Sequence, residues 1–247
     1  MTSFVLVHGA WHGSWCWKRV RSSLQSKGHE VFTPTLTGVA ERSHLLSRDV
    51  NLETHIQDVL NLIRWEELSD IVLCGHSYGG CVISGVADRI PDRIRSLVYL
   101  DAFVLEDGEN LLQHLPKERR DQLVEATIIA GESWKVAPIP AEVFNVNTND
   151  RDWVNRQCTL QPIETFRQQI RLSGAINNIK NVTFILATSF ESSPFPPFCD
   201  KARAQGWKVL TIDCGHDVML DQPEELTRLL LDAVKMSQAA RSGSGDA

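Results

Sequence analysis

Gly75-His76-Ser77-Tyr78-Gly79 stands directly behind an apolar run and ahead of a helical pattern, a placement that constrains the fold more than any other feature of the chain. Ile71-Val72-Leu73-Cys74 reads as a short buried strand, and Gly80 to Ile90 carries helical spacing up to the stop at Pro91. A residue between such a strand and such a helix occupies a sharp, strained turn that lifts its side chain clear of the sheet. The flanking glycines keep side chains out of the neighbouring strand and helix. Ser77 is therefore predicted to be a nucleophile rather than a loop serine among glycines.

The rest of the chain repeats this alternation. Strand-like runs fall at Phe4–Val7, Glu30–Thr33, Ile71–Cys74, Ser96–Leu100, Val182–Ala187 and Lys208–Ile212. Helical segments lie between them, including Trp17–Ser26, Leu52–Trp65 and a last helix opened by Pro223-Glu224-Glu225. The pattern predicts an α/β fold, a mostly parallel sheet flanked by helices, and 247 residues suffice for a single domain with a sizeable core. One interval breaks the rhythm. From Leu105 to Ile179 no strand signal appears, only amphipathic stretches and prolines, which predicts a helical cap over residues 105–179 inserted after the strand ending near Leu100. Residues 241–247, with Ser242-Gly243-Ser244-Gly245, read as a flexible tail.

Composition narrows the class. A net charge of −6 offers no basic footprint for nucleic acid and no polybasic patch for a membrane surface. No apolar run is long enough to span a bilayer, and the first strand begins too near Met1 for a signal peptide. The six cysteines lack C-x-x-C spacing, so reduced thiols in a cytoplasmic compartment are expected. His8 and His12 come nearest to a ligand pair but lie on a glycine-rich turn, and no metal site is expected.

A serine hydroxyl needs a positioned base. His216, in Asp213-Cys214-Gly215-His216-Asp217, follows the last strand and opens on the same sheet edge as Ser77. His76 adjoins the serine, but neighbours at so tight a turn point apart. The acid that orients the base has two candidates: Glu191, a short turn after Val182–Ala187, and Asp101, at the end of Leu97–Leu100. Glu191 leads and Asp101 is its rival. Asp217 is expected to bond local backbone or start a helix. Backbone N–H groups of Tyr78 and of Ala10, in His8-Gly9-Ala10-Trp11-His12-Gly13, are candidates for an oxyanion hole. Trp11, Trp134, Phe144 and Trp153 are candidate walls of an apolar substrate pocket, although Trp11 equally suits packing under the cap.

With these motifs in hand, the chain resembles the α/β-hydrolase superfamily over nearly its whole length. It is most similar to the group holding plant methylesterases, plant hydroxynitrile lyases and small bacterial esterases. Val5 to Trp15 matches that group's opening signature, Gly75 to Gly80 its elbow, and Gly215-His216 with Val218-Met219-Leu220 its histidine loop. The lyases carry a Thr where this chain has Gly9, and a Lys that stabilises departing cyanide where it has Asp217. Where the plant members have an Asp, this chain has Glu191.

The resemblance implies a cofactor-independent serine hydrolase. Its small-molecule substrate would be an apolar or aromatic carboxylic ester or, by analogy with bacterial relatives, a carbamate ester. The alternatives are lyase chemistry on the same scaffold and a low-turnover ligand receptor. Ordinary imidazole titration at His216 predicts activity rising between pH 5 and 8.

Overall fold

The computed structural model describes residues 1–129 and 133–242. In chain order the elements are β1 (Ser3–Val7), α1 (Lys18–Ser26), β2 (Glu30–Phe32), α2 (Leu52–Trp65), β3 (Ile71–His76), α3 (Gly79–Arg89), β4 (Ile94–Leu100), α4 (Lys117–Ile129), β5 (Lys135–Val136), α5 (Arg151–Gln157), β6 (Gln161–Pro162), α6 (Glu164–Arg167), β7 (Val182–Ala187), α7 (Pro196–Ala204), β8 (Lys208–Ile212), α8 (Val218–Asp221) and α9 (Pro223–Ser242). Among the described residues no helix is long and apolar enough to cross a membrane, and all six cysteines are free thiols.

Six strands form one parallel sheet in the order β2-β1-β3-β4-β7-β8. The central strand β3 buries all six of its residues, as a strand covered on both faces must. Helix α2 packs on α3, which lies against β1, β3 and β4, while α1 packs on α9. Helix α2 starts from a capping box in which Asn51 accepts the Thr54 N–H and the Thr54 hydroxyl accepts the Asn51 N–H. The order of strands reverses direction between β1 and β3. At such a switch point the loops leaving the two strands diverge and open a crevice at their carboxyl ends. The His8–Gly13 turn and the Ser77 elbow both leave the sheet there.

The interval from Leu105 to Ile179 contains α4, α5 and α6 and two 3-10 turns, Leu111–His114 and Ala175–Asn178. It also contains strands, which the sequence did not signal: β5 and β6 pair antiparallel, Lys135 opposite Pro162 and Val136 opposite Gln161. Two residues are too few to register as a period-two pattern. Of the expected tail, Arg241 and Ser242 belong to α9, and residues 243–247 lie outside the described residues.

The elbow depends on close approach. A Cβ on Gly80 would lie 2.2 Å from the Phe103 carbonyl oxygen, in the segment just after β4. That segment is itself tied to the elbow by Phe103 N–H donating to the Ser77 carbonyl at 3.2 Å. Gly80→Ala is expected to destabilise the protein by about 1–3 kcal/mol through forced separation of backbone, read as a lowered urea midpoint; an unchanged midpoint would show that the approach is not required.

Candidate active site

Ser77 has φ of 55°, the left-handed region that a residue with a Cβ adopts only under constraint. Three backbone hydrogen bonds supply that constraint. Ser77 N–H donates to Leu100 O, and the Ser77 carbonyl accepts from Gly80 N–H at 3.0 Å and from Phe103 N–H at 3.2 Å. The turn is thus clamped between α3 and the exit of β4.

Asp101, the first residue beyond β4, is also left-handed, at φ 42°. Its N–H donates to Ile185 O at 2.7 Å, and its Oδ1 accepts the Ala187 N–H at 3.1 Å. The other carboxylate oxygen, Oδ2, lies 2.6 Å from Nδ1 of His216. Glu191, the favoured acid in the sequence, is exposed on the surface instead. Either residue satisfies the chain order Ser, acid, His, so order could not separate them. The kink at Asp101 turns its side chain into the sheet edge, and no sequence pattern announces a non-glycine φ above zero.

His216 is walled by aromatic rings. Phe195 stacks on it with centroids 5.1 Å apart and planes 12° apart, and Phe144 and Phe190 lie at 5.1 and 5.2 Å. Burial lowers the imidazole to about 4 and pushes the Asp101 carboxyl well above its ordinary range, against the Ala187 N–H. Both directions describe one unit. The 2.6 Å contact makes Nδ1 and Oδ2 partners in one hydrogen bond, which leaves Nε2 of His216 outside it.

The turn after β1 faces this unit. The N–H groups of Ala10 and Tyr78 have no acceptor among the described residues. Trp11, at φ 65°, is held by three bonds: its N–H donates to Gln161 Oε1 at 2.7 Å, its indole N–H to Val136 O at 3.2 Å, and its carbonyl accepts from Thr159 N–H at 3.0 Å. The β5–β6 pair therefore braces the turn. Gly9 is pressed against the elbow; a Cβ there would lie 2.9 Å from His76 Nδ1 and 3.0 Å from the Ser77 Cβ. Tyr78 is buried, its hydroxyl donating to His55 Nδ1 at 2.8 Å.

Two groups make contacts the sequence did not suggest. His76 points away from the serine, as the tight turn led one to expect, and donates from Nε2 to the His216 carbonyl at 2.9 Å. Asp217 makes no helix cap for α8; it is fully buried with Oδ2 3.0 Å from His12 Nε2.

A cavity of about 380 Å³ opens over these residues. Ser77, His216, Ala10 and Tyr78 line it together with Trp11, Phe103, Phe144, Phe166, Phe190 and Phe195, and α4 adds Glu118, Arg119 and Gln122. Trp11 and Phe144, two of the candidate walls, are in that lining. Trp134 and Trp153 are not in the lining. Trp134 carries the Arg48 and Lys135 cations on its ring, and Trp153 packs edge-on against Trp15 at 5.0 Å. Phe190 and Phe195 were overlooked although both follow β7, a strand end on the same edge as the elbow; that proximity was the available signal.

Comparison with known proteins agrees with this architecture. The Alpha/beta hydrolase family pattern matches residues 4–229. A carbendazim hydrolyzing esterase of Nocardioides sp. (strain SG-4G) is 49% identical over 239 residues, covering 93% of this chain and 98% of that protein. Methylesterase 7 of Arabidopsis thaliana is 25% identical over 251 residues, covering 93% and 95%. Among solved structures, an extracellular alpha/beta-hydrolase from a Paenibacillus species superposes with a TM-score of 0.83 at 23% identity, covering 94% of this chain and 99% of that one. Sheet order, elbow and sequence similarity together make this chain a hydrolase enzyme belonging to the alpha/beta hydrolase family.

Proposed function

We propose that this protein is a serine esterase acting on a small aromatic carboxylic ester or carbamate ester, with Ser77 as nucleophile, His216 as base and Asp101 as the acid that orients it. The observation that carries the reading is the 2.6 Å contact between His216 and Asp101 at the wall of the cavity that Ser77 also lines. Ser77 Oγ attacks the carbonyl carbon as His216 Nε2 takes its proton, and the amides of Ala10 and Tyr78 receive the oxyanion. The tetrahedral adduct collapses, His216 passes the proton to the leaving alcohol, and an acyl-Ser77 ester remains. Water then attacks that ester through the same base, releasing the acid and restoring the serine. The segment 105–179 acts as a cap whose residues roof the cavity.

The six aromatic walls favour a flat, apolar acyl or alkoxy group. Carbendazim, the compound in the name of the Nocardioides relative, is an aromatic methyl carbamate and fits that description. For such a carbamate the leaving alcohol is methanol, and the released carbamic acid loses carbon dioxide to give the amine. Two features favour hydrolysis over cyanohydrin cleavage. Gly9 leaves no room beside Ser77 for the threonine side chain of the lyases, and the position of their lysine is taken by an aspartate. That aspartate is paired with His12, so position 217 offers a departing cyanide no lysine to stabilise it.

With an aryl ester as substrate, Ser77→Ala is expected to lose more than about 10⁴-fold in turnover while keeping the wild-type circular dichroism spectrum. A folded variant that still turns over at the wild-type rate would end the serine reading. Asp101→Asn should lower kcat by about 10³- to 10⁴-fold, as loss of the orienting carboxylate does in such triads, whereas Glu191→Gln should stay within about threefold of wild type. The reverse ranking would restore Glu191.

The pH profile follows from burial. An ordinary imidazole would halve the activity near pH 6.5, but a His216 lowered to about 4 remains free to accept a proton well below that. Initial rates on enzyme held at pH 7 and jumped into assay buffer should therefore be level from pH 5 to 8 and fall only toward pH 4. This expectation differs from the rise through pH 5–8 that an ordinary imidazole would give. A limb centred near 6.5 would mean that the ring is solvated in the free enzyme.

A further inference from the structure

We propose that His12 and Asp217 form a buried ion pair that positions the Ala10 amide and the His216 loop for catalysis, so that both are positioning residues of the esterase proposed above and the inference rests on that reading. The charge follows from the geometry. Nδ1 of His12 lies 2.7 Å from the Ala10 carbonyl oxygen and Nε2 lies 3.0 Å from Asp217 Oδ2. The Ala10 oxygen can only accept, the Asp217 carboxyl is kept ionised by the histidines around it, and a neutral imidazole has one N–H to give. The ring therefore carries two protons and a positive charge, opposite a carboxylate that is itself fully buried. Trp15 stacks on the imidazolium at 4.9 Å with planes 19° apart, presenting the electron-rich face of its indole.

Surrounding groups are consistent with this state. Burial works against the charge on His12, but Cys158 and Asp217 hold it well above the ordinary imidazole range. Asp217, also opposed by burial, is held below the carboxylate range by His12, His76 and His216. The other titratable groups nearby are Cys158, with Sγ 4.0 Å from Nδ1, His76, with its ring 6.3 Å away, and the buried Cys16 and His8. None of them supplies a second proton acceptor close enough to replace the carboxylate.

The pair acts on one peptide plane. Ala10 and Trp11 share a peptide bond whose carbonyl accepts from His12 and whose N–H donates to Gln161. Fixed at both ends, that plane sets the direction of the preceding N–H, the Ala10 donor that has no acceptor among the described residues. It also holds Trp11 at its positive φ. At the other end of the ion pair, Asp217 is the neighbour of His216, and His76 Nε2 adds a second tie to the His216 carbonyl. The oxyanion turn, the elbow and the histidine loop are thus joined beneath the cavity. An apolar pair of similar volume would fill the same space without the cost of burying two charges. What it would not supply is the donor that orients the Ala10 peptide.

Two measurements test the pair. Ring ¹⁵N spectra of histidine-labelled protein at about pH 8.5 should retain one imidazolium with slowly exchanging ring protons among the eight histidines. A spectrum without one overturns the inference, and this needs no variant to fold. In kinetics with an aryl ester, Asp217→Asn should lower kcat about 10²-fold with KM within about threefold, the scale of a misplaced oxyanion donor. The double variant His12→Phe with Asp217→Leu should show the same kcat loss at a near wild-type Tm. A kcat within threefold of wild type in either folded variant refutes the positioning role. Ser77→Ala, run alongside, separates the two levels: turnover surviving in it defeats the esterase reading, whereas its inactivity beside a fully active Asp217→Asn defeats only the ion pair.

Discussion

A serine can be held in a left-handed turn only where the chain on both sides leaves it no alternative. Here that constraint comes from the switch point of the sheet. Strands β1 and β3 run side by side and their loops depart in opposite directions, so α3 must begin immediately against the exit of β4, with Gly80 pressed on Phe103. The Ser77 carbonyl is taken by Gly80 and Phe103, and its N–H by Leu100. The same bonds that close the elbow carry β4 directly past it, which brings Asp101 within reach of a histidine arriving from beyond β8. The strain at Ser77 and at Asp101 belongs to one piece of geometry, and the site is assembled where the topology has already concentrated the cost.

Burial then sorts the histidines. His8, His55, His76 and His216 are all lowered, chiefly by loss of solvent, and each has partners compatible with one proton. His8 is typical, giving Nδ1–H to the Gly9 carbonyl and accepting the Leu36 N–H at Nε2. His12 is the exception because both its nitrogens meet acceptors and one of these is a carboxylate. Among the described residues no group of three or more His, Cys, Asp or Glu side chains is placed to hold a metal ion.

Legibility in the sequence tracked the range of the interactions. The parallel sheet, Ser77 and His216 each leave a local signature: an apolar run, a glycine frame, a position after the last strand. Helix α2 came out with its bounds because its apolar stripe and its Asn51 cap are both local. The carboxylate was harder, since Glu191 and Asp101 both follow strands and differ only in which way a backbone kink points the side chain. Asp217 was misread because its partner stands 205 positions earlier in the chain. The β5–β6 pair was missed since four residues that bond across a 25-residue interval carry no periodicity, yet they brace Trp11.

The cavity carries the same lesson into specificity. Its aromatic walls come from four separate places: Trp11 after β1, Phe103 after β4, Phe144 and Phe166 from the interval between β4 and β7, and Phe190 and Phe195 after β7. No window of sequence contains them together. Three of those rings, Phe144, Phe190 and Phe195, also pack on His216, so the walls of the cavity are the walls that desolvate the imidazole. Thinning one wall to admit a bulkier acyl group would let water reach the imidazole and raise its proton affinity toward the ordinary value. For the proposed esterase, substrate range and the acid limit of activity should therefore be coupled, a change in one carrying the other with it.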